Sequence, residues 1–544
     1  MRFSLLKRIE KIVVIALVCM TALSIVLLWM WLVSEKSMKE SQVNISRDNQ
    51  ITSAADTSFY NGTNYLPDKY TLNQDVSDLS FKNENGRNVT VAQMRGKVLV
   101  LNFWTSWCPY CRKELEGAAE MKAMLSRYTD VEYLLVDKLE PSRETKEQAQ
   151  AYLKENNIPF NTVFDENSAV YVKLGLKVVP TTLVIDRQGV LRAWHAGEGM
   201  DSGVLQAMID YTLEGGSSGV LNFIENQLTN KAGGIRTNYV QEKGSQLKYT
   251  DVLSESQGLL MEYALLAKNR ELFERSYNYL STEMQKDPLA AWVVTDKGPS
   301  RVNSALDDLR IYRVLSKADE LWGGYDGKLS SYEKMLRRYN TNNQRLINQY
   351  DFKYRKKSDK LKLCFADFEA LKALSTRHPS WEKVYDNALS TVEKGYISDA
   401  FPLHYPEYDY SKKEYAHEDI NMAEEMVTLL HLAKLGKLRP ETLAWLKNSV
   451  EGEGVFAKYK TDGTVAAGHR YESTAIYGLI GMTAGLAGDT ELANKAFTKM
   501  EAMRVFDSAK QTNGAFGNPD GTGIYSFDQC IALLTYGKFE ESDG

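Results

Sequence analysis

Trp107-Cys108-Pro109-Tyr110-Cys111 lies between an apolar run, Val98 to Phe103, and an amphipathic segment that opens at Pro109. The two cysteines therefore fall where a strand turns into a helix. The thiolate is the nucleophile in disulfide exchange, and the unpaired N–H groups and dipole of a helix N-terminus favour that charge on Cys108. Cys111, one turn further on, is placed to resolve a mixed disulfide. A C-x-x-C pair also serves zinc, but a zinc site needs a second cysteine pair or histidine partners, and none stands nearby. The six histidines, scattered from His195 to His469, show no ligand spacing. No metal site is expected, and no cofactor.

Working outward, Gly96-Lys97-Val98 to Trp104 feeds the cysteine motif and Val131 to Val136 reads as a second buried strand. Val179-Pro180-Thr181-Thr182 precedes a third, Leu183 to Asp186, and Gly189 turns the chain into Val190 to Trp194. With the lead-in Asn102-Phe103-Trp104-Thr105-Ser106-Trp107-Cys108, this pattern resembles the thioredoxin superfamily, and within it the membrane-tethered TlpA-like reductases, over residues 69–215. The resemblance implies an α/β thioredoxin fold with thiol-disulfide oxidoreductase activity at Cys108 and Cys111. It also implies a cis Pro180 against the cysteines, where its backbone would pair with a client strand. Glu114 matches the family's active-site acid, and Trp107, Glu114 and Pro180 are expected to bind clients and tune the thiols. Asn102 stands where cytosolic thioredoxins carry a buried Asp, and Leu115-Glu116 replaces the usual Leu-Pro, which puts a helix kink in question. Pro109-Tyr110 occurs in reductants and oxidants alike, and the direction of electron flow stays open.

The N-terminus predicts location. Arg2, Lys7, Arg8 and Lys11 precede Ile12 to Val33, an uncharged run with the length of a membrane-spanning helix. The positive flank keeps the N-terminus cytoplasmic and puts everything after Val33 outside. Residues 1–33 thus read as a cytoplasmic n-region and single-pass anchor, and polar residues 34–68 as a stalk. An extracytoplasmic C-x-x-C domain would exchange electrons with client protein thiols or disulfides and with a donor or acceptor in the membrane. Net charge is −5, which predicts no nucleic-acid partner.

Gly215-Gly216-Ser217-Ser218-Gly219 reads as a flexible joint, and residues 216–544 are enough for one more large core. Their pattern is helical. Trp381, Val384, Tyr385, Ala388, Leu389 and Val392 repeat at helical spacing, as do Met422, Met426, Leu429, Leu430 and Ala433. Alternating strand pattern is nearly absent, so a bundle, a helical-repeat array or an (α/α) toroid is expected.

Two motifs choose among these. Ser254-Glu255-Ser256-Gln257-Gly258-Leu259-Leu260-Met261 opens one helix, and Ser304-Ala305-Leu306-Asp307-Asp308-Leu309-Arg310-Ile311 opens another, with Ala318 and Trp322 at its far end. Both resemble glycoside hydrolase family 8, which implies an all-α (α/α)6 barrel and an inverting glycosidase acting on cell-surface or exopolysaccharide. Ser254, Glu255, Gln257, Gly258 and Met261 match the first family motif, and Leu306 stands where the second has an acid. An inverting enzyme needs a protonated acid at the leaving oxygen and a carboxylate that activates water on the opposite face. The resemblance makes Glu255 the acid and Asp308 the sugar-orienting residue, with Asp307 the rival for its register. Glu418 and Asp419, in the Tyr415-to-Asn421 stretch, are the candidates for the base. Tyr405, Tyr408, Tyr410 and Tyr415 cluster nearby in the sequence and are candidates for stacking on sugar rings. Cys364 and Cys530 are either disulfide partners or buried thiols.

Three readings follow from the sequence: a redox domain fused to a glycosidase, a redox protein whose barrel only binds sugar, and a barrel that cleaves polysaccharide as a lyase.

Overall fold

The computed structural model describes residues 69–242, 245 and 247–542, and in it the chain builds two domains on different principles. The first is a seven-stranded sheet in the order β2-β1-β5-β4-β3-β6-β7. Its strands are β1 (Ser80–Lys82), β2 (Asn88–Thr90), β3 (Val98–Trp104), β4 (Val131–Lys138), β5 (Asn161–Asp165), β6 (Thr181–Ile185) and β7 (Leu191–Ala196). β3, β4 and β5 run parallel, β6 is antiparallel to β3, and β7 is antiparallel to β6. Every residue of β3 is buried, as its run of apolar residues, interrupted only by Asn102, predicts for a strand covered on both faces. The register sets Asn102 opposite Thr182, and the Val179–Pro180 peptide is cis.

Helices cover the sheet: α1 (Pro109–Glu116), α2 (Ala118–Leu125), α3 (Lys146–Glu155), α4 (Ala169–Leu174) and α5 (Ser202–Glu214). The break after α1 falls at Gly117, whose N–H turns back to the Glu114 carbonyl at 3.1 Å. A glycine thus makes the interruption for which the sequence offered no proline.

The second domain is helical. Its inner helices are α7 (Ser254–Leu266), α9 (Ala305–Trp322), α11 (Phe368–Arg377), α13 (Met422–Lys434), α15 (Thr474–Leu486) and α17 (Ser526–Ser542). α7 packs on α9 and α17, α9 on α11, α13 on α15, and α15 on α17. The turn Leu363–Phe365 before α11 touches both α9 and α13. Outside this ring α8 (Arg270–Tyr279), α10 (Asp326–Tyr339), α12 (Ser380–Lys394), α14 (Pro440–Glu451) and α16 (Thr490–Glu501) alternate with the inner helices along the chain. Trp381, Val384, Ala388 and Val392 are the buried stripe of α12, while Tyr385 and Leu389 are half-buried. Short polar residues start the inner helices: Ser304, Asp367 and Asn421 each accept from an N–H of the first turn.

The glycine-rich stretch after α5 is not a loose joint. It forms helix α6 (Gly216–Phe223), which packs on α17. A Cβ on Gly216 would overlap the Tyr536 and Tyr211 rings, so this glycine permits close approach instead of slack. The contact continues into the sheet domain. Leu72 N–H donates to Thr498 Oγ1 at 3.0 Å and Ser508 N–H to the Gly203 carbonyl at 3.1 Å. Phe506 meets Tyr211 edge to face at 5.4 Å. Arg504, 3% exposed, donates to Glu501 (2.9 Å), to the Gly514 and Gly216 carbonyls (2.9 and 3.1 Å) and to the Tyr536 hydroxyl.

Among the described residues no helix is long and apolar enough to cross a membrane. The Ile12-to-Val33 run and the stalk lie outside them. Cys364, in the turn before α11, and Cys530, in α17, are both buried.

Candidate functional site

Cys108 is the N-cap of α1, and its sulfur accepts the Cys111 N–H at 3.4 Å. Its thiol also reaches the Val179 carbonyl, at 3.5 Å, which brings the cis-proline loop to the nucleophile. The Cys111 thiol, the backbone N–H groups of the first turn and the Arg112 charge bring Cys108 down to about 6 against the opposing effect of burial. Cys111 goes the other way, pushed up by burial and by the neighbouring Cys108 and Glu114. The pair is thus split into one ready thiolate and one held thiol.

Glu114 is buried behind them. Its Oε1 accepts from Asn102 Nδ2 at 2.6 Å, while Oε2 has no partner. Burial raises its carboxyl to about 8, with the Asn102 amide working against the shift. Asn102 also donates to Thr182 Oγ1 at 2.8 Å, as the strand register dictates. The buried acid beside the cysteines is thus carried on α1 and held by Asn102 of β3. Trp107 lies under the Arg143 guanidinium, 3.7 Å from its ring centre, and Tyr110 is exposed beside it.

At the helical domain, hydrogen bonds between first turns show that several inner helices open at a common mouth. Ser254 Oγ donates to Asp307 Oδ2 at 2.8 Å, joining α7 to α9. Ser256 and Ser526 hydroxyls pair at 2.8 Å, joining α7 to α17, and Ser473 Oγ reaches Asp528 at 3.0 Å, joining α15 to α17. Glu255 is the second residue of α7 and is buried at this mouth.

The two aspartates of α9 part company. Asp307 faces α7 and is held by Arg310 at 3.1 Å. Asp308 turns away, accepting from Asn303 (2.6 Å), Tyr332 (2.5 Å) and the Ala290 N–H (3.4 Å), and burial raises it to about 7. The register rival, not Asp308, thus shares a hydrogen bond with the helix of Glu255.

Glu418 and Asp419 are exposed, just ahead of the short strand Ile420–Asn421 that leads into α13. Sequence reasoning passed over Glu424 and Glu425 in the first turn of α13, both buried. Lys362 Nζ donates to both oxygens of Glu424, at 2.8 and 3.2 Å, and Glu425 accepts from His404 Nδ1 at 2.9 Å. The signal that could have found Glu424 is its place: third in an inner helix, one turn in from the Asn421 cap. Tyr405 and Tyr415 stack at 5.5 Å and 22°, with Tyr408 against Tyr415 at 4.8 Å. Deeper in, Arg313 of α9 binds Glu262 of α7 and Asp367 at the start of α11, each at 2.8 Å.

Residues 72–194 match the AhpC/TSA family. The thiol:disulfide interchange protein DsbE of Escherichia coli is 30% identical over 105 residues, which cover 19% of this chain and 52% of that protein. The putative lipoprotein YdaJ of Bacillus subtilis is 26% identical over 325 residues, 58% of this chain and 85% of that protein. The solved structure of an alpha-amylase from Clostridium perfringens superposes with a TM-score of 0.56 at 27% identity, covering 60% of this chain and 97% of that one. That share exceeds what the sheet domain could supply. The chain therefore combines a thioredoxin-like domain of the AhpC/TSA type, with thiol-disulfide oxidoreductase relatives, and a helical domain with a glycoside hydrolase as structural neighbour.

Proposed function

We propose that this chain is a cell-envelope thiol-disulfide oxidoreductase, anchored through Ile12 to Val33, whose helical domain is an (α/α)6 barrel of the family 8 type acting on surface polysaccharide. The observation that carries the redox half is the split thiol pair at the N-terminus of α1. Cys108 thiolate attacks a client disulfide, forming the mixed disulfide and releasing the client's other sulfur as thiolate. Cys111, once deprotonated, attacks Cys108, so the client leaves as dithiol and the pair is left oxidised. Run in reverse, the same steps oxidise a client. Glu114, titrating near 8, exchanges a proton beside Cys111 in the physiological range. Cys111→Ser should accumulate mixed disulfides on the full chain, visible as adducts on non-reducing gels. A variant that accumulates none sinks the reading.

For the barrel, Glu255 serves as general acid and Asp307 as the sugar-side acid, with Asp308 in the scaffold behind it. Glu424 is the base this reading favours over Glu418 and Asp419, because it is buried in the first turn of an inner helix as Glu255 is. An inverting pair stands about 6.5–9.5 Å apart, leaving room for water. The test is the full chain on a panel of α- and β-linked polysaccharides, with the product anomer read by NMR. Glu424→Gln should lose about 10²–10⁴-fold in hydrolysis, the usual worth of an acid–base residue, while Glu418→Gln and Asp419→Asn retain it.

A second reading draws on a specific observation. Lys362 and Arg310 neutralise Glu424 and Asp307, which suits holding a sugar without cutting it. Saturable binding with no product from any polysaccharide would select it.

A further inference from the structure

Between β4 and α3 the chain makes a short excursion, residues 139–145, that the exchange steps do not use. Arg143 and Glu144 N–H groups both turn back to the Glu140 carbonyl at 2.8 Å, which fixes the excursion as a tight turn. Its last carboxylate is aimed at the cysteine motif. Glu144, 1% exposed, accepts the Ser106 N–H on one oxygen at 2.8 Å and the Ser106 hydroxyl on the other at 2.9 Å. A carboxylate that binds both the amide and the hydroxyl of one residue leaves that residue little freedom to rotate.

Ser106 is in turn the anchor for a charge. Its carbonyl accepts from Arg112 Nε at 2.5 Å, and the Arg112 guanidinium lies 5.2 Å over the Tyr152 ring. Arg112 also sits one turn along α1 from Cys108, its N–H donating to the Cys108 carbonyl at 3.1 Å, and its charge is the last and smallest of the influences that favour the Cys108 thiolate. We propose that Glu144 is a positioning residue for the nucleophile: by gripping Ser106 at both donors it orients the Ser106 carbonyl, which holds Arg112 beside Cys108. Glu144 touches neither sulfur and acts only through this chain of contacts. The excursion grips the motif a second time, since Arg143 covers Trp107.

Cys111, Arg112 and Glu114 surround Cys108 on its own helix. Asp137 of β4 is fully buried, with both carboxyl oxygens unpartnered, and it feels Glu144 and Asp165.

The inference rests on the oxidoreductase reading, and its test separates the two. Cys108 alkylation by iodoacetamide is followed against pH in the full, reduced chain, with the modified cysteine identified by mass spectrometry. A close opposite charge shifts an ionisable group by about 1–3 units, and because Arg112 is the smallest of the influences on Cys108 the low end, about 1 unit, is expected. Glu144→Gln should raise the alkylation midpoint by that amount, Arg112→Met should do the same, and the double variant should shift no further than either alone. A Glu144→Gln midpoint equal to wild type, or an additive double shift, overturns the proposal. If Glu144→Gln does not fold, Ser106→Ala removes one of the two grips, and a midpoint that fails to rise overturns it equally. A wild-type chain that exchanges with no disulfide, while Glu144→Gln still shifts the midpoint, would end the oxidoreductase reading and leave the positioning role standing.

Discussion

Around the thiol pair, Glu114 and Asp137 are buried without an ion pair among the described residues, whereas at and below the helical mouth Asp307, Glu424 and Asp367 each lie against an arginine or lysine. The first pair rises, each to about 8, mainly because burial disfavours the charged form. In the second region burial pushes Asp367 and Glu262 the same way, but Arg313 outweighs it and holds both carboxyls below the usual carboxylate range. One site thus keeps acids that titrate near neutrality and suit proton exchange. In the other, the ion-paired Asp367 and Glu262 stay charged and suit scaffolding, while Asp308, which has no ion-pair partner among the described residues, rises to about 7 as the first pair does. Buried acids alone do not mark chemistry; the presence or absence of a counter-ion decides what they can do.

The contrast can be broken most completely at the sulfur. Cys108→Ser should abolish disulfide exchange, read with a model disulfide, and leave any polysaccharide turnover untouched. Loss of both together would mean that the two regions are not chemically separate.

Arg313→Met tests the paired side. It strands Glu262 and Asp367 without their cation, and breaking a buried ion pair from one side costs about 3–5 kcal/mol. Urea unfolding of the full chain should show that loss, and a change below about 1 kcal/mol would mean the acids find other partners.

The smallest effect sharpens the unpaired side. The Glu114 carboxyl has a pKa of about 8 in the fold against an ordinary 4.5, so between those values the native chain holds a proton that the unfolded chain has lost. Its contribution therefore makes stability fall as pH rises through that window and level off above it. Glu114→Gln should flatten that slope in pH-dependent unfolding. An unchanged slope would assign the titration elsewhere.

Local signals were legible in the sequence. The strand Val98–Trp104, the cysteine pair at a helix start and the stripe of Trp381, Val384, Ala388 and Val392 depend on near neighbours, and the fold keeps all of them. What was not legible depended on remote partners. Gly216 looked like slack because nothing near it in the chain shows the Tyr536 ring it must admit. Glu424 was passed over because Lys362, its partner, is distant in sequence. Asp307 and Asp308 are adjacent, and only the packing of α9 decides which one faces α7. Glu144 had no signature at all, since its meaning lies in the two donors of Ser106.

The close seat of Gly216 between Tyr211 and Tyr536 bears on the history of the chain. Domains joined by a slack linker can be shuffled between proteins, because neither has adapted to the other. Here one aromatic ring belongs to the sheet domain, the other to the last helix, and Arg504 grips the backbone between them. A recombination event that replaced either half would bring in a surface unfitted to this wedge. The fusion is therefore expected to be inherited as a unit, with substitutions on one side of the wedge matched by substitutions on the other.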